Sequence, residues 1–394
     1  MAAIDLPDYC THLNMLQAMG EANVFNQEWE HLVFRVPQGC FVTSSAMAFL
    51  AAWGQLCCKE GKKFKFLGDQ DTMRYLSRMD VLNCIGFEFK EKFQRHQAVG
   101  RFIPIKLIED DESVIDGGNA ICDLVLSNFD NGREFVPAIE WAVNELVDNI
   151  HLHAETPVPG VLCAQFYPKR HRIDIGICDM GRGLKNSLEE SIPIWGGHGS
   201  AISKALERGV TRNKEIGQGN GLSGSLEICR LNQGKFEIWT GDANFMVQEG
   251  VDKGFQQIPF IPGTGLFLSL DTNQPVNLGD TFIGADTWSY IDYLGVQVEE
   301  AGGLLIKEEC LHTGSRQAAR PLHRKILALL PDMETPLVLD FSGIEQASSS
   351  FLDELLGKLV YELGPDNFSQ QIKLINAPEL VVKMANVVIH QRVG

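Results

Sequence analysis

Apolar and polar positions along the chain set out short strands and helices in turn. Residues 31–36 (HLVFRV) are rich in β-branched and aromatic side chains and predict a strand. From Ser44 to Cys58 the apolar positions fit a helix, with Thr43 or Ser44 near its N-cap. Phe64 to Leu67 reads as another strand and Asp71 to Met79 as another helix, with Asp71 as its cap. Together these make a small β-α-β-α unit. The far end of the chain repeats the layout. Leu337–Phe341 is an apolar strand, and Ser348–Ser350 opens a helix running through Leu352, Leu355, Leu356 and Leu359. Ile372–Ile375 is a strand, and Pro378 opens a last helix at N1. Leu32-Val33 and Leu337-Val338 lie 305 positions apart, as do Thr43-Ser44-Ser45 and Ser348-Ser349-Ser350. The following strands lie 308 apart. This is a weak internal repeat, with chance similarity of two such units as the alternative.

The stretch between them is longer. Phe135 to Ala154 has helical spacing, with Ile139, Val143, Leu146, Val147 and Ile150 on one face. Val161–Tyr167 and Ile173–Asp179 read as paired strands with a turn at Pro168–His171. Residues 184–216 mix Gly, Ser and charge and read as a long mobile loop with a short helix around Ile202–Arg208. Leu222 to Arg230 is helical; Lys235–Trp239 and Gly265–Leu270 are strands. Helices on one face of a mixed or antiparallel sheet are expected.

Composition narrows the functional classes. The 394 residues carry 34 Lys+Arg against 51 Asp+Glu, a net charge of −17, with 44% apolar and 22% charged residues. That excludes bulk disorder and suggests roughly two to three domains. It argues against binding duplex DNA or an anionic membrane through general electrostatics, so a nucleic-acid partner is not expected. The ten cysteines include no C-x-x-C pair and read as reduced core residues, as in a cytoplasmic protein. The N-terminus carries Asp5 and Asp8 and no basic n-region. The longest apolar run, Ala46 to Cys58, is interrupted by Gln55 and is too short to span a membrane.

Four segments carry candidate chemistry. In the long helix, Glu145 and Asn149 are at i, i+4 and share a face. Beside a nucleotide, an Asn amide oxygen can ligate Mg²⁺ and a Glu can take a proton from the attacking group. After a strand comes Asp179-Met-Gly181-Arg-Gly183. A carboxylate there can accept an adenine amino group, and the glycines allow close backbone approach. Gly217-Gln-Gly219-Asn-Gly221-Leu222 precedes a helix, where free N–H groups can hold phosphate. Gly263-Thr264 opens a strand, and its hydroxyl could reach the adenine side through a water. Two rival patterns are weaker. Gly219-x-Gly221-x-x-Gly224 fits the dinucleotide fingerprint but follows no strand. His151 and His153, at i, i+2, do not face together as metal ligands.

In this order, over roughly residues 115–272, the four segments resemble the N, G1, G2 and closing Gly-Thr boxes of the GHKL superfamily of ATPases and kinases. The resemblance implies an α/β sandwich holding ATP and Mg²⁺. Glu145 would be the catalytic base and Asn149 the Mg²⁺ ligand. Asp179, Gly181, Gly183 and Thr264 would lie on the adenine side. Gly217, Gly219, Gly221 and Leu222 would lie on the phosphate side, with Arg212 and Lys214 in the lid. No histidine has the setting of a sensor-kinase phosphoacceptor, and the remaining chain is short for the transducer domain of gyrase or MutL relatives.

The C-terminal segment, from Gly314-Ser-Arg316 to Asp340-Phe-Ser342-Gly343 and Ser348-Ser349-Ser350-Phe351-Leu-Asp353-Glu354, resembles STAS-like domains. In anti-sigma-factor antagonists of that kind a serine at the helix start is phosphorylated by a GHKL kinase, and Ser349 falls on that serine. Ser348 and Ser350-Phe351 depart from the family's Asp and Ser-Gly, and a serine N-cap is the structural alternative. Ser44 holds the matching place in the N-terminal unit. The expected layout is an α/β chain with STAS-like units at 1–100 and 273–394 around an ATP module at 115–272. Its expected partners are ATP and proteins bound through the STAS-like units, with a homodimer left open. The expected activity is hydrolysis of ATP or transfer of its γ-phosphate. The alternative is a non-catalytic, ATP-gated partner switch.

Overall fold

The computed structural model describes residues 2–91, 100–128, 132–150, 154–210, 221–276, 303–310, 313–314, 316–333, 335–344 and 347–393. Three parts follow one another, each with its own sheet, in a mixed α/β fold.

The first part comprises β1 (Ala2–Asp5), β2 (Tyr9–Cys10), α1 (His12–Glu21), β3 (His31–Val36) and β4 (Phe41–Val42), then α2 (Ser44–Lys59), β5 (Lys63–Gly68), α3 (Gln70–Arg78) and α4 (Val81–Cys84). Strands β1, β3 and β5 form a parallel sheet in that order. Leu32 and Phe34 are buried on it, and Phe34 stacks on Phe66 at 4.9 Å. Thr43 caps α2 by accepting from the Ala46 N–H. The cap of α3 is Asp69, not Asp71: Asp69 has extended backbone and its carboxylate accepts from the Thr72 N–H at 3.0 Å.

The central part holds β6 (Phe102–Ile108), α5 (Asp111–Leu126), α6 (Gly132–Asn149), β7 (Gly160–Tyr167) and β8 (Arg172–Cys178). It continues with α7 (Gly183–Leu188), α8 (His198–Ala205), α9 (Gly221–Leu231), β9 (Lys235–Gln248) and β10 (Val251–Asp271). The sheet runs β6-β7-β8-β10-β9, antiparallel throughout. Side chains alternate between its faces. Leu162, Ala164, Ile173, Ile175, Ile177, Ile238 and Leu268 join α5, α6 and α9 in one core. Val161, Cys163, Cys178, Trp239 and Phe267 face the other way and join α2 in a second core. That is why α2 is buried nearly all round: it serves two sheets. Gly176 permits the contact, because a Cβ there would lie 2.4 Å from the Ser44 carbonyl oxygen.

The third part contains β11 (Gly303–Leu305), α10 (Ile306–Glu309), α11 (Arg316–Leu329), β12 (Leu337–Asp340) and α12, followed by α13 (Pro365–Gln371), β13 (Ile372–Ile375) and α14 (Glu379–Val393). Helix α12 starts as Ser349–Leu352, widens into a π turn over Asp353–Gly357 and resumes as Lys358–Leu363. Strands β11, β12 and β13 pair in parallel. Pro378 stands just before α14 rather than inside it, and its carbonyl accepts from the Val382 N–H.

The repeat seen in the sequence is present in the register. Leu32 pairs with Phe64, and Leu337, 305 positions on, pairs with Ile372. Both helix starts carry one motif. Thr43 and Ser348 are caps, with hydroxyl pairs Thr43–Ser45 at 2.9 Å and Ser348–Ser350 at 3.1 Å.

Three expectations change. The loop after Gly183 holds two helices, α7 and α8, rather than one around Ile202–Arg208. The strands at Lys235 and Gly265 are the ends of one long hairpin, whose β-bulges break the alternation that would have betrayed it. The central sheet takes its edge strand from β6, ahead of residue 115. The described element before α9 is helix α8 and the sheet is antiparallel, so the βαβ context of a dinucleotide fold is missing. No helix among the described residues is long and apolar enough to cross a membrane, and all ten cysteines are free.

Candidate functional site

Helix α6 presents Glu145 and Asn149 one turn apart. Asn149 is half-buried as the last residue of the helix. Burial is the main force on the Glu145 carboxyl and pushes it above the usual carboxylate range; the Ser349 hydroxyl and the Arg316 charge pull it back. Helix α9 closes against α6 through two glycines. A Cβ on Gly221 would lie 3.0 Å from the Glu145 side chain, and one on Gly224 only 2.1 Å from the Trp141 ring. Gly221, the first residue of α9, is thus held beside Glu145. Leu222 is half-buried and packs on the shared core.

Asp179 stands just past β8 and is 5% exposed. Its carboxylate accepts from the Gly181 N–H at 2.8 Å. Burial raises it to about 6, against the pull of the Gly181 and Thr264 main chain. Close approach of backbone explains the glycines here. A Cβ on Gly181 would lie 2.0 Å from the Ala154 carbonyl oxygen, and Gly263, at φ +78°, sits over Asp179. The main chain ties the strand ends together: the Asp179 N–H donates to the Thr264 carbonyl and the Arg182 N–H to that of Ala154, both at 2.9 Å. Thr264 therefore engages Asp179 through its main chain. The hydroxyl that braces this corner belongs to buried Thr240, which donates to the Gly263 carbonyl at 2.8 Å and accepts from the Leu184 N–H. Thr240 lies beyond the predicted strand Lys235–Trp239 and within the longer β9. Gly183, at φ +73°, meets the same Thr240 hydroxyl.

The structure thus shows two groups: Glu145 beside Gly221, where α9 starts against α6, and Asp179 with Gly181, Gly183, Gly263 and Thr264, where the chain leaving β8 meets β10. Arg212, Lys214, Gly217 and Gly219 lie outside the described residues, as do His151 and His153.

The third part reaches into this site. Ser349, at the start of α12, donates its hydroxyl hydrogen bond to Glu145. Ser348 caps the helix by accepting from the Phe351 N–H at 3.1 Å. Behind Ser349 is a buried ion cluster. Arg316 donates to Asp353 at 2.7 Å and to Glu354 at 3.3 Å, and Arg392 donates twice to Asp353 at 2.7 Å. Arg316, Asp353 and Glu354 are each at most 6% exposed. Their signal was the charged pair Asp353-Glu354 inside an otherwise apolar helix, since buried charges are paired. Ser44, the counterpart of Ser349, is buried on the other face of the sheet, where its carbonyl accepts from the Cys163 thiol. Among the described residues no group of three or more His, Cys, Asp or Glu side chains could hold a metal.

No curated protein matches the chain. Residues 318–381, from α11 through the start of α14, match the family model of a STAS-like domain of unknown function (DUF4325), so the chain ends in a STAS-like domain.

Proposed function

We propose that the central part binds ATP with Mg²⁺ in the manner of the GHKL proteins it resembles, and transfers the γ-phosphoryl group to Ser349 of the STAS-like domain. One observation carries the reading: the Ser349 hydroxyl donates directly to Glu145. A hydroxyl already bonded to a carboxylate is a nucleophile beside its base, and a carboxyl raised by burial is the stronger proton acceptor. In the transfer, Ser349 Oγ forms a bond to the γ-phosphorus as the bond to the β-phosphate oxygen breaks. The hydroxyl proton passes to Glu145, and ADP leaves.

The residues present suit the ligand. Asp179 is a buried acceptor at the floor of the site, suited to an adenine amino group, and Gly181, Gly183 and Gly263 leave room for a base against backbone. The start of α9 at Gly221 offers a helix N-terminus to phosphate. The Asn149 amide oxygen would hold Mg²⁺, which when bound offsets phosphate charge. The STAS-like units would bind protein partners according to the state of this site.

A second reading is favoured by the burial of Ser349, which is 8% exposed. Here the hydrogen bond is a latch. Nucleotide binding would open or close it without turnover, and partners would read the result. Incubation with γ-labelled ATP and Mg²⁺ separates the readings. Label on wild type but not on Ser349→Ala supports transfer, free phosphate supports hydrolysis, and neither leaves the switch.

A further inference from the structure

A cavity of about 320 Å³ lies where the N-terminal unit meets the central sheet, on the face turned away from Glu145. The alternation of the strands defines its floor. Toward one end this face is apolar, with Cys163, Cys178 and Trp239 packed on α2. Toward the other, the same positions carry Arg172 and Asp174 on β8, Lys235 and Glu237 on β9, and Ser269 and Asp271 on β10. Asp174 is fully buried and Glu237 is 2% exposed. Burying two carboxylates costs free energy that an apolar floor would not, so each is held by a cation. Arg172 grips Asp174 at 2.8 and 2.9 Å, and Lys235 lies 3.0 Å from Glu237. These interactions set the polar groups in place along the floor of the cavity.

The opposite wall is made by Thr11, Thr43 and Ser45, at the amino ends of α1 and α2. Both helices point their positive ends here, neither has an acidic residue in its first turn, and the Thr11 and Thr43 hydroxyls already accept from the Asn14 and Ala46 N–H groups. Arg170, exposed at the rim, adds a guanidinium group to the lining, while that of Arg172 is held by Asp174 on the floor. Asp271 and Glu249 line the cavity as acceptors, and the Tyr9 and Phe267 rings give it apolar faces. In the C-terminal unit the equivalent helix start meets Glu145; in the N-terminal unit it meets this cavity.

We propose that the cavity is a binding site for a phosphomonoester of a polyhydroxylated carbon skeleton, with the phosphate at the two helix starts and Arg170, and the hydroxyls on Asp271 and Glu249. Hydroxyls and guanidinium groups complement phosphate, carboxylates accept from vicinal hydroxyls, and an aromatic face covers the C–H side of a sugar ring. The proposal stands apart from the nucleotide reading.

The test uses the full chain and ribose 5-phosphate as the probe, with thermal stabilisation and calorimetry as readouts. Ribose 5-phosphate is expected to stabilise wild type and Asp179→Asn equally, so the nucleotide site is not the one being filled. Ribose alone should give no shift. Arg170→Gln, at an exposed position, should weaken binding by roughly tenfold, the scale of one charge-assisted hydrogen bond. Ser45→Ala should weaken it too. Absence of any response to millimolar ribose 5-phosphate, an equal response to ribose, or binding unchanged in both variants would overturn the proposal.

Discussion

The Ser349 hydroxyl donates to the Glu145 carboxylate across 204 residues of sequence, joining the STAS-like domain to the long helix of the central part. Ser349 is buried and Glu145 half-buried, so water only partly replaces either partner when the other is removed. Ser349→Ala is expected to abolish label transfer from γ-labelled ATP and to loosen the domain by about 1–3 kcal/mol, the cost of a half-buried acceptor left without its donor. Glu145→Gln keeps the shape and loses the base. It should retain ATP-dependent thermal stabilisation while transfer falls by roughly 10²-fold or more. Full transfer in Glu145→Gln would show that Glu145 is not the base.

Asp179 makes stability depend on pH. Its carboxyl sits near 6 in the folded chain and near 3.8 when unfolded, because burial disfavours the charged form. Below about pH 4 both states are protonated and burial of the group carries no ionisation penalty. Between pH 4 and 6 the unfolded chain loses its proton first, so folding stability falls as pH rises; above 6 the penalty is complete. A gap of that size corresponds to about 3 kcal/mol at most. Asp179→Asn should therefore flatten the pH profile of urea unfolding across this window and raise stability at pH 7 by about 1–3 kcal/mol. The same change should abolish stabilisation by ATP–Mg²⁺. A variant that gains stability and loses ligand is the pattern expected of a functional group held at a cost.

These residues show what could be read from sequence and what could not. The placement of Glu145 and Asn149 on one face of a helix, and of Asp179 just past a buried strand, was legible because helical and strand periodicity are local. The repeat was legible because strand register and helix capping are local: Thr43 and Ser348 each cap with the N–H three residues on. Three things were not local. The bulged hairpin from Lys235 to Asp271 hides its alternation under register shifts. The role of Arg316 depends on Asp353 and Glu354, 37 and 38 residues away. The docking of α2 shows in the sequence only as a helix with almost no polar face, which is equally the mark of a helix buried within one domain.

Arg316 carries the ion cluster beneath the site. It shares its charge between Asp353 and Glu354, and its field also reaches Glu145. Arg316→Gln removes a cation shared by two buried carboxylates, while Arg392 stays on Asp353 and Lys358 on Glu354, so the change is expected to cost about 1–3 kcal/mol. Arg320, which contacts Glu354 at 3.4 Å with a side chain 41% exposed, should cost under about 1 kcal/mol when changed to Gln. Hydrogen exchange should report the first loss in α11 and α12, and then in α6 around Glu145. Protection that falls in α11 and α12 but not in α6 would mean that the cluster stabilises the STAS-like domain without holding it at the site.

Gly176 tests whether the N-terminal unit and the central sheet form one cooperative body. Its Cβ would lie 2.4 Å from the Ser44 carbonyl oxygen and 3.1 Å from the Ala48 side chain, and a main-chain carbonyl at a helix start cannot rotate away. Either α2 shifts as a whole or the sheet bends. Gly176→Ala is therefore expected to cost about 1–3 kcal/mol, the range for overpacking a filled core. Gly197→Ala, where nothing lies within 4 Å, is the matched control and should stay within about 1 kcal/mol. The loss should appear in one unfolding transition, since α2 shares its core with Cys163, Cys178 and Trp239 of the central sheet. If Gly176→Ala splits unfolding into two transitions, with the central part melting where it did before, then α2 rests on the sheet without lending it stability.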